Sequence, residues 1–268
     1  MNNPSAENKA ANQDNASRSY QKGNIWYRIF KNGIFRPIVR WLWKVEVIGE
    51  ENIPKDGCVI AANHIDAGDT VALPAALRPS MIFPAKKELF EGKTLSGKIV
   101  AWFLSLVGQV PIDRSGGKAS VSGLELVAQK LSQGHAIGIF PEGSRSVDGR
   151  LYKGHTGVAR MALEVNKPVV PVGLINTRLT KNRFGLPTMK NAKIVIGEPL
   201  DYSQYHDRRH DVKVGRWVTN DIMVHIQELT GQEYVDVYLR AVKRGNLSGA
   251  ELEKHVQDSP SLPEPTDE

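Results

Sequence analysis

From residue 45 to about residue 245, short β-rich apolar runs alternate with stretches of helical period, and this alternation is the strongest constraint on the fold. Runs at 45–47, 59–62, 81–85, 108–112, 136–140, 169–174 and 194–196 read as strands. Stretches near 69–77, 93–106, 118–132, 154–165, 211–229 and 233–243 read as helices. Strand and helix in turn predict an α/β fold, with a mostly parallel central sheet flanked by helices on both faces. Nothing resembling a linker interrupts 45–245, so this body is expected to be one domain. Residues 1–17 are polar and rich in Asn, Ala and Ser, and 246–268 carry prolines and acids; both are expected to be disordered tails.

Residues 18–44 differ from both the tails and the body. Arg18, Lys22, Arg28, Lys31, Arg36, Arg40 and Lys44 occur there without one Asp or Glu. Tyr27, Phe30, Ile34, Ile38 and Trp41 recur at steps of three and four, the spacing of a helical stripe. Gly33 and Pro37 argue against one straight helix, and Pro37 suits the first turn of a second helix. Aromatics on one side and cations on the other describe an amphipathic element lying in a membrane interface, and Trp26, Trp41 and Trp43 favour the headgroup region. No run reaches the ~20 apolar residues of a spanning helix, and the first residues lack a secretory h-region. The expected location is therefore peripheral or monotopic, on the cytoplasmic face of the cell membrane.

The formal net charge of +6 and pI near 9.3 suit an anionic partner such as a phospholipid surface or a phosphorylated substrate. Nucleic acid is disfavoured, because the cations at 18–44 interleave with tryptophans and no nucleic-acid-binding module is visible. The single cysteine, Cys58, excludes an intrachain disulfide, offers no zinc pattern and sits in an apolar run, so it is expected in the core.

Three segments carry the chemistry. His64 and Asp69 are five apart, a separation that cannot meet on one continuous helix. They can touch if His64 lies in the turn after a strand and Asp69 opens the next helix. Asp69 would then fix the tautomer of His64 and stabilise its imidazolium, making it a general base. The run GQVPIDR at 108–114 ends a strand and presents Arg114. The run FPEGSRS at 140–146 ends another, where ligands gather in open parallel sheets. There Arg145 could grip a phosphate, Gly143 would allow close backbone approach, and Glu142 could accept a hydrogen bond from a substrate hydroxyl. Ser144 lacks a nucleophile elbow. His64, Arg114 and Arg145 are expected to converge on one cleft. No metal or cofactor is called for.

With the strand VVPVGL at 169–174, these blocks resemble the glycerolipid acyltransferase family of the PlsC type. The flanks at 45–54 and 85–89, and Lys153-Gly154 after the third block, are similar to the family as well. The resemblance covers about residues 40–200 and sits nearest to 1-acylglycerol-3-phosphate acyltransferases. It implies transfer of an acyl chain from acyl-CoA or acyl carrier protein to the sn-2 hydroxyl of lysophosphatidic acid, giving phosphatidic acid. It also implies His64 as base, Asp69 as its partner, Arg114 and Arg145 as phosphate ligands, and Glu142, Gly143 and Ser144 as the acceptor-binding block. Asp66 stands where the family often has Ser. Two rival readings share these blocks: an acyltransferase for another acceptor, and a thioester hydrolase using water in place of the alcohol.

Overall fold

The computed structural model describes residues 25–92, 94–106, 109–112, 118–263 and 265. In chain order the strands are β1 (Glu46–Ile48), β2 (Cys58–Ala62), β3 (Met81–Ile82), β4 (Pro84–Lys86), β5 (Val110–Ile112), β6 (Ala136–Ile139), β7 (Leu151–Tyr152), β8 (Val169–Ile175), β9 (Thr180–Lys181), β10 (Pro187–Thr188), β11 (Lys193–Ile196), β12 (Tyr234–Val235) and β13 (Val256–Gln257). Six of them form the central sheet in the order β1-β11-β8-β2-β6-β3. Four of its five pairings are parallel; only β11 on β8 is antiparallel. The expected α/β architecture with a mostly parallel sheet is therefore present.

The sheet is covered on both faces, which explains why its central strands are apolar without alternation. Along β2, Val59 and Ala61 face one core, while Cys58, Ile60 and Ala62 face the other. The first face is covered by the helices Lys118–Ser132, Gly157–Val165 and Val212–Thr230, through Val127, Val158 and Ile222 among others. The second is covered by the helix Asp69–Ala76 and by the N-terminal element, through Leu73, Val39 and Trp43. Each fully buried Val, Ile or Leu here contributes roughly 1.5–3 kcal/mol of transfer free energy. Cys58 is fully buried, and burial pushes its thiol up to about 12, so it is an inert core residue.

The N-terminal element departs from the expected two helices with Pro37 opening the second. Residues 25–42 form one helical run, beginning with the α-helix Ile25–Phe30 and continuing through two π-helical stretches, Lys31–Phe35 and Ile38–Leu42. Arg36 N–H bonds to the carbonyl of Lys31, and Trp43 N–H to that of Ile38, both five residues back. Pro37 sits between the two wide stretches, inside the run rather than at the head of a second helix. Wider turns also lengthen the interval between residues on one face. The inward face is Tyr27, Lys31, Phe35, Val39 and Trp43, at a strict step of four. Tyr27, Phe30 and Ile38 of the expected stripe are at least half-buried, whereas Ile34 and Trp41 point outward. Tyr27 Oη accepts from Met81 N–H at 3.0 Å, and Lys31 Nζ donates to the carbonyls of Arg78 and Pro79 at 3.1 and 2.6 Å, fastening the run to the sheet edge.

Three further expectations are corrected. The run 81–85 is two strands, because β4 leaves the central sheet to pair with β5. The helix expected at 233–243 begins as β12, which pairs parallel with β7, and only Leu239–Lys243 is helical. The acidic tail is not disordered over residues 250–257: Ala250–Glu253 is helical, Leu252 is buried, and β13 pairs with β12. Composition missed this because the segment borrows its core from Tyr152, Val235 and Leu239 instead of carrying one of its own.

Candidate active site

β2 ends at Ala62, and the chain turns through 63–68 before entering the helix Asp69–Ala76. This strand–turn–helix geometry is what lets residues five apart meet. His64 Nδ1 lies 2.9 Å from Asp69 Oδ2. The same oxygen accepts from the N–H groups of Ile65 and Asp66 at 2.7 and 2.8 Å. Asp69 is fully buried, and its Oδ1 has no hydrogen-bond partner among the described residues. One carboxylate oxygen thus closes the turn and orients the imidazole. With Nδ1–H donated to Asp69, Nε2 is the ring nitrogen that can take a proton. The ring stacks on Phe140 at a centroid distance of 4.0 Å and an interplanar angle of 14°. Asp66 Oδ1 accepts from Gly68 N–H at 3.1 Å, a local turn bond.

The backbone of His64 is held by the third segment. Its N–H donates to Glu142 Oε2 at 2.8 Å, and its carbonyl accepts from Ser146 N–H at 2.7 Å. Glu142 Oε1 accepts from Tyr152 N–H at 3.1 Å. Glu142 is 2% exposed and both its oxygens are occupied by peptide N–H groups, so it does not face a substrate hydroxyl as its place in the motif led one to expect. It positions the turn that carries His64. Burial pushes its carboxyl up to about 8, with the two peptide bonds and Lys243 pulling the other way.

Asn63 was not singled out by the sequence, yet it locks this turn to the sheet. It is fully buried, donates to the carbonyl of Leu174 at 2.9 Å and accepts from Leu174 N–H at 2.7 Å. Its Nδ2 also donates to Gln232 Oε1 at 2.8 Å, and Gln232 Nε2 donates to the Gly149 carbonyl at 2.5 Å. The only signal for Asn63 was its position between an apolar strand and His64.

His64, Gly143, Ser144 and Arg145 line one cavity of about 580 Å³. Gly143 has φ of +71°, and a Cβ there would come within 3.1 Å of the His155 ring, so the position favours glycine on two counts. Apolar walls come from Tyr27, Phe30, Phe35, Val71, Phe83 and Leu104. Lys31 also lines it; burial drives its ammonium down to about 7. The expected convergence of His64 with Arg145 is present. Arg114 lies outside the described residues. The arrangement sets a carboxylate-oriented imidazole, a guanidinium and apolar walls around one cavity, the parts needed to activate a hydroxyl on an anionic, lipid-like molecule.

Along the exposed side of the run 25–42, Ile25, Trp26, Ile29, Trp41 and Leu42 reach solvent. The helix Leu95–Leu106 exposes Leu95, Ile99 and Trp102, while its Leu104 lines the cavity together with Tyr27 and Phe30. No helix among the described residues is long and apolar enough to cross a membrane.

The Acyltransferase family model matches residues 44–175. A 1-acyl-sn-glycerol-3-phosphate acyltransferase of Bacillus subtilis is 33% identical over 164 residues, which are 60% of this chain and 76% of that protein. A chloroplastic 1-acyl-sn-glycerol-3-phosphate acyltransferase of Arabidopsis thaliana is 29% identical over 166 residues, or 60% of this chain and 45% of that protein. This chain therefore spans less than half of the plant relative's length. The crystal structure of PlsC, a 1-acyl-sn-glycerophosphate acyltransferase from Thermotoga maritima, matches with a TM-score of 0.50 and 23% identity, over 74% of this chain and 80% of that one, a likeness of fold.

Proposed function

The chain belongs to the glycerolipid acyltransferase family, and from that premise we propose that it transfers a fatty acyl chain from an acyl thioester, acyl-CoA or acyl carrier protein, to the sn-2 hydroxyl of 1-acylglycerol 3-phosphate. The observation that carries this reading is the shared cavity: His64, oriented by Asp69, opens into the same space as Arg145 and a set of apolar walls. His64 Nε2 takes the proton of the acceptor hydroxyl as its oxygen attacks the thioester carbonyl. The C–S bond then breaks, the thiolate leaves, and the imidazolium returns a proton to it. Asp69 favours the imidazolium while it exists. No step needs a covalent acyl-enzyme. Arg145, with Arg114, binds the acceptor phosphate, and the apolar walls take an acyl chain.

The outward apolar side chains of 25–42, beside Arg28 and Lys44, suit an anionic lipid surface at which such a substrate resides. We place the protein there as a peripheral or monotopic component of the cytoplasmic face of the cell membrane. The test is mass spectrometry of the products made by purified protein from mixed acyl-CoAs and an acceptor panel: lysophosphatidic acid, glycerol 3-phosphate and lysophosphatidylcholine. Phosphatidic acid as the dominant product supports the reading. Acylation of another acceptor in preference, or free fatty acid without transfer, overturns it.

A further inference from the structure

We propose that Lys243, contributed by the C-terminal layer, is a specificity-determining residue that binds the acceptor phosphate together with Arg145. This rests on the acyl-transfer reading above and adds to it a residue outside the region 44–175 that the family model matches.

Lys243 ends the helix Leu239–Lys243 and lines the same cavity as His64 and Arg145. Its Nζ donates to Ser144 Oγ, which sets the ammonium beside the residue preceding Arg145. The described residues lining this cavity include Lys31, Arg145 and Lys243 but no Asp or Glu, so its charge invites an anion. Lys31 is tied to the carbonyls of Arg78 and Pro79, away from the 143–145 loop, whereas Ser144 holds Lys243 beside that loop, so Arg145 and Lys243 are the pair placed to share a phosphate.

The helix that carries Lys243 is well seated. Leu239 is fully buried in a cluster with Tyr152, Val235, Val237 and Leu252. Tyr152 belongs to β7, which pairs with β12, and its N–H donates to Glu142, whose other oxygen holds the His64 peptide. The ammonium at 243 and the imidazole at 64 are thus referenced to one buried carboxylate. A cation carried on a helix seated relative to His64 can select the group that lies a set number of bonds from the reacting hydroxyl. In 1-acylglycerol 3-phosphate that group is the phosphate on the neighbouring carbon.

The test compares full-length wild type, Lys243→Met and Lys243→Arg with two acceptors, lysophosphatidic acid and phosphate-free 1-acylglycerol, each varied at saturating acyl-CoA, and with acyl-CoA varied at saturating acceptor. For Lys243→Met we expect KM for lysophosphatidic acid to rise about 10- to 100-fold, the range of one charge-assisted bond, with a much smaller change in kcat. Its loss on 1-acylglycerol is at least about tenfold smaller, and Lys243→Arg recovers most of the lost affinity. The Ki of glycerol 3-phosphate as a competitor rises in parallel. An unchanged KM for lysophosphatidic acid overturns the proposal. So does an equal loss on both acceptors, which makes the Ser144 contact merely structural, or a KM change confined to acyl-CoA, which assigns the cation to the donor's phosphates. A wild-type protein that fails to acylate lysophosphatidic acid at all refutes the underlying function instead, whatever Lys243 does.

Discussion

Glu142 holds the peptide N–H of His64 at 2.8 Å across 78 residues of sequence. The bond joins the turn after β2 to the loop after β6, and Ser146 N–H completes it by donating to the His64 carbonyl. His64 is therefore fixed from both sides of its backbone by one loop, while Asp69 and Phe140 fix its ring.

Replacing Glu142 with Gln leaves one carbonyl oxygen for two peptide donors and turns an amide NH2 toward the other. We expect kcat to fall about 10- to 100-fold and stability to drop by roughly 1–3 kcal/mol, the cost of an unsatisfied buried donor. The pH dependence has a defined sign. Burial raises the folded-state carboxyl from 4.5 to about 8, so its protonation stabilises the fold fully below the lower value and progressively less as pH rises through the upper one. Urea unfolding at about pH 5 and about pH 8.5 should show the gap between wild type and Glu142→Gln shrinking at the higher pH. A gap that widens contradicts the assignment.

Asp69→Asn separates charge from positioning. The amide oxygen can take the place of Oδ2 and accept the same three hydrogen bonds, and the NH2 occupies the side where Oδ1 has no partner among the described residues. The turn should survive, but the imidazolium loses its counter-charge. An analogous change in a His–Asp pair lowers turnover by about 10⁴, and a loss of about 10²–10⁴ in kcat is expected here with a melting temperature close to wild type. A variant retaining half its turnover removes Asp69 from the mechanism.

Trp41 is 78% exposed on the outer side of the N-terminal run, and Trp26 is 49% exposed. Since neither is a core residue, Trp26→Ser/Trp41→Ser should change stability by less than about 1 kcal/mol. Binding to vesicles containing phosphatidylglycerol, followed by sedimentation, should weaken by at least about tenfold. Undiminished binding locates the lipid contact elsewhere. Trp43 is the internal control: it is buried and donates to the Pro187 carbonyl at 3.0 Å, so Trp43→Ser should destabilise the fold.

Much of this architecture was legible in the sequence because it follows from local pattern. The apolar runs at 59–62, 136–140 and 169–174 became neighbouring strands of the central sheet, each with one boundary moved by one residue. The meeting of His64 and Asp69 was legible too, since a strand–turn–helix boundary is the way to close a separation of five. What escaped was set by distant partners. Glu142 read as a substrate contact because its motif faces the site, but its own oxygens find the peptides of His64 and Tyr152 inside. Asn63 gains its meaning only when Leu174, 111 residues on, lies beside it. The stripe at 27–41 follows an α-helical period in the sequence, whereas the π-helical turns leave Trp41 outside and Lys31 inside. Residues 250–257 look like a tail until β12 supplies an edge for them to pair with.

The most direct test of the central claim is acyl transfer to lysophosphatidic acid by wild type and His64→Ala, followed as phosphatidic acid formed per enzyme in a single turnover. The account calls for a loss of at least about 10³-fold on removing the base, with circular dichroism and melting temperature unchanged. Phosphatidic acid formed by His64→Ala at more than about a tenth of the wild-type rate would contradict it.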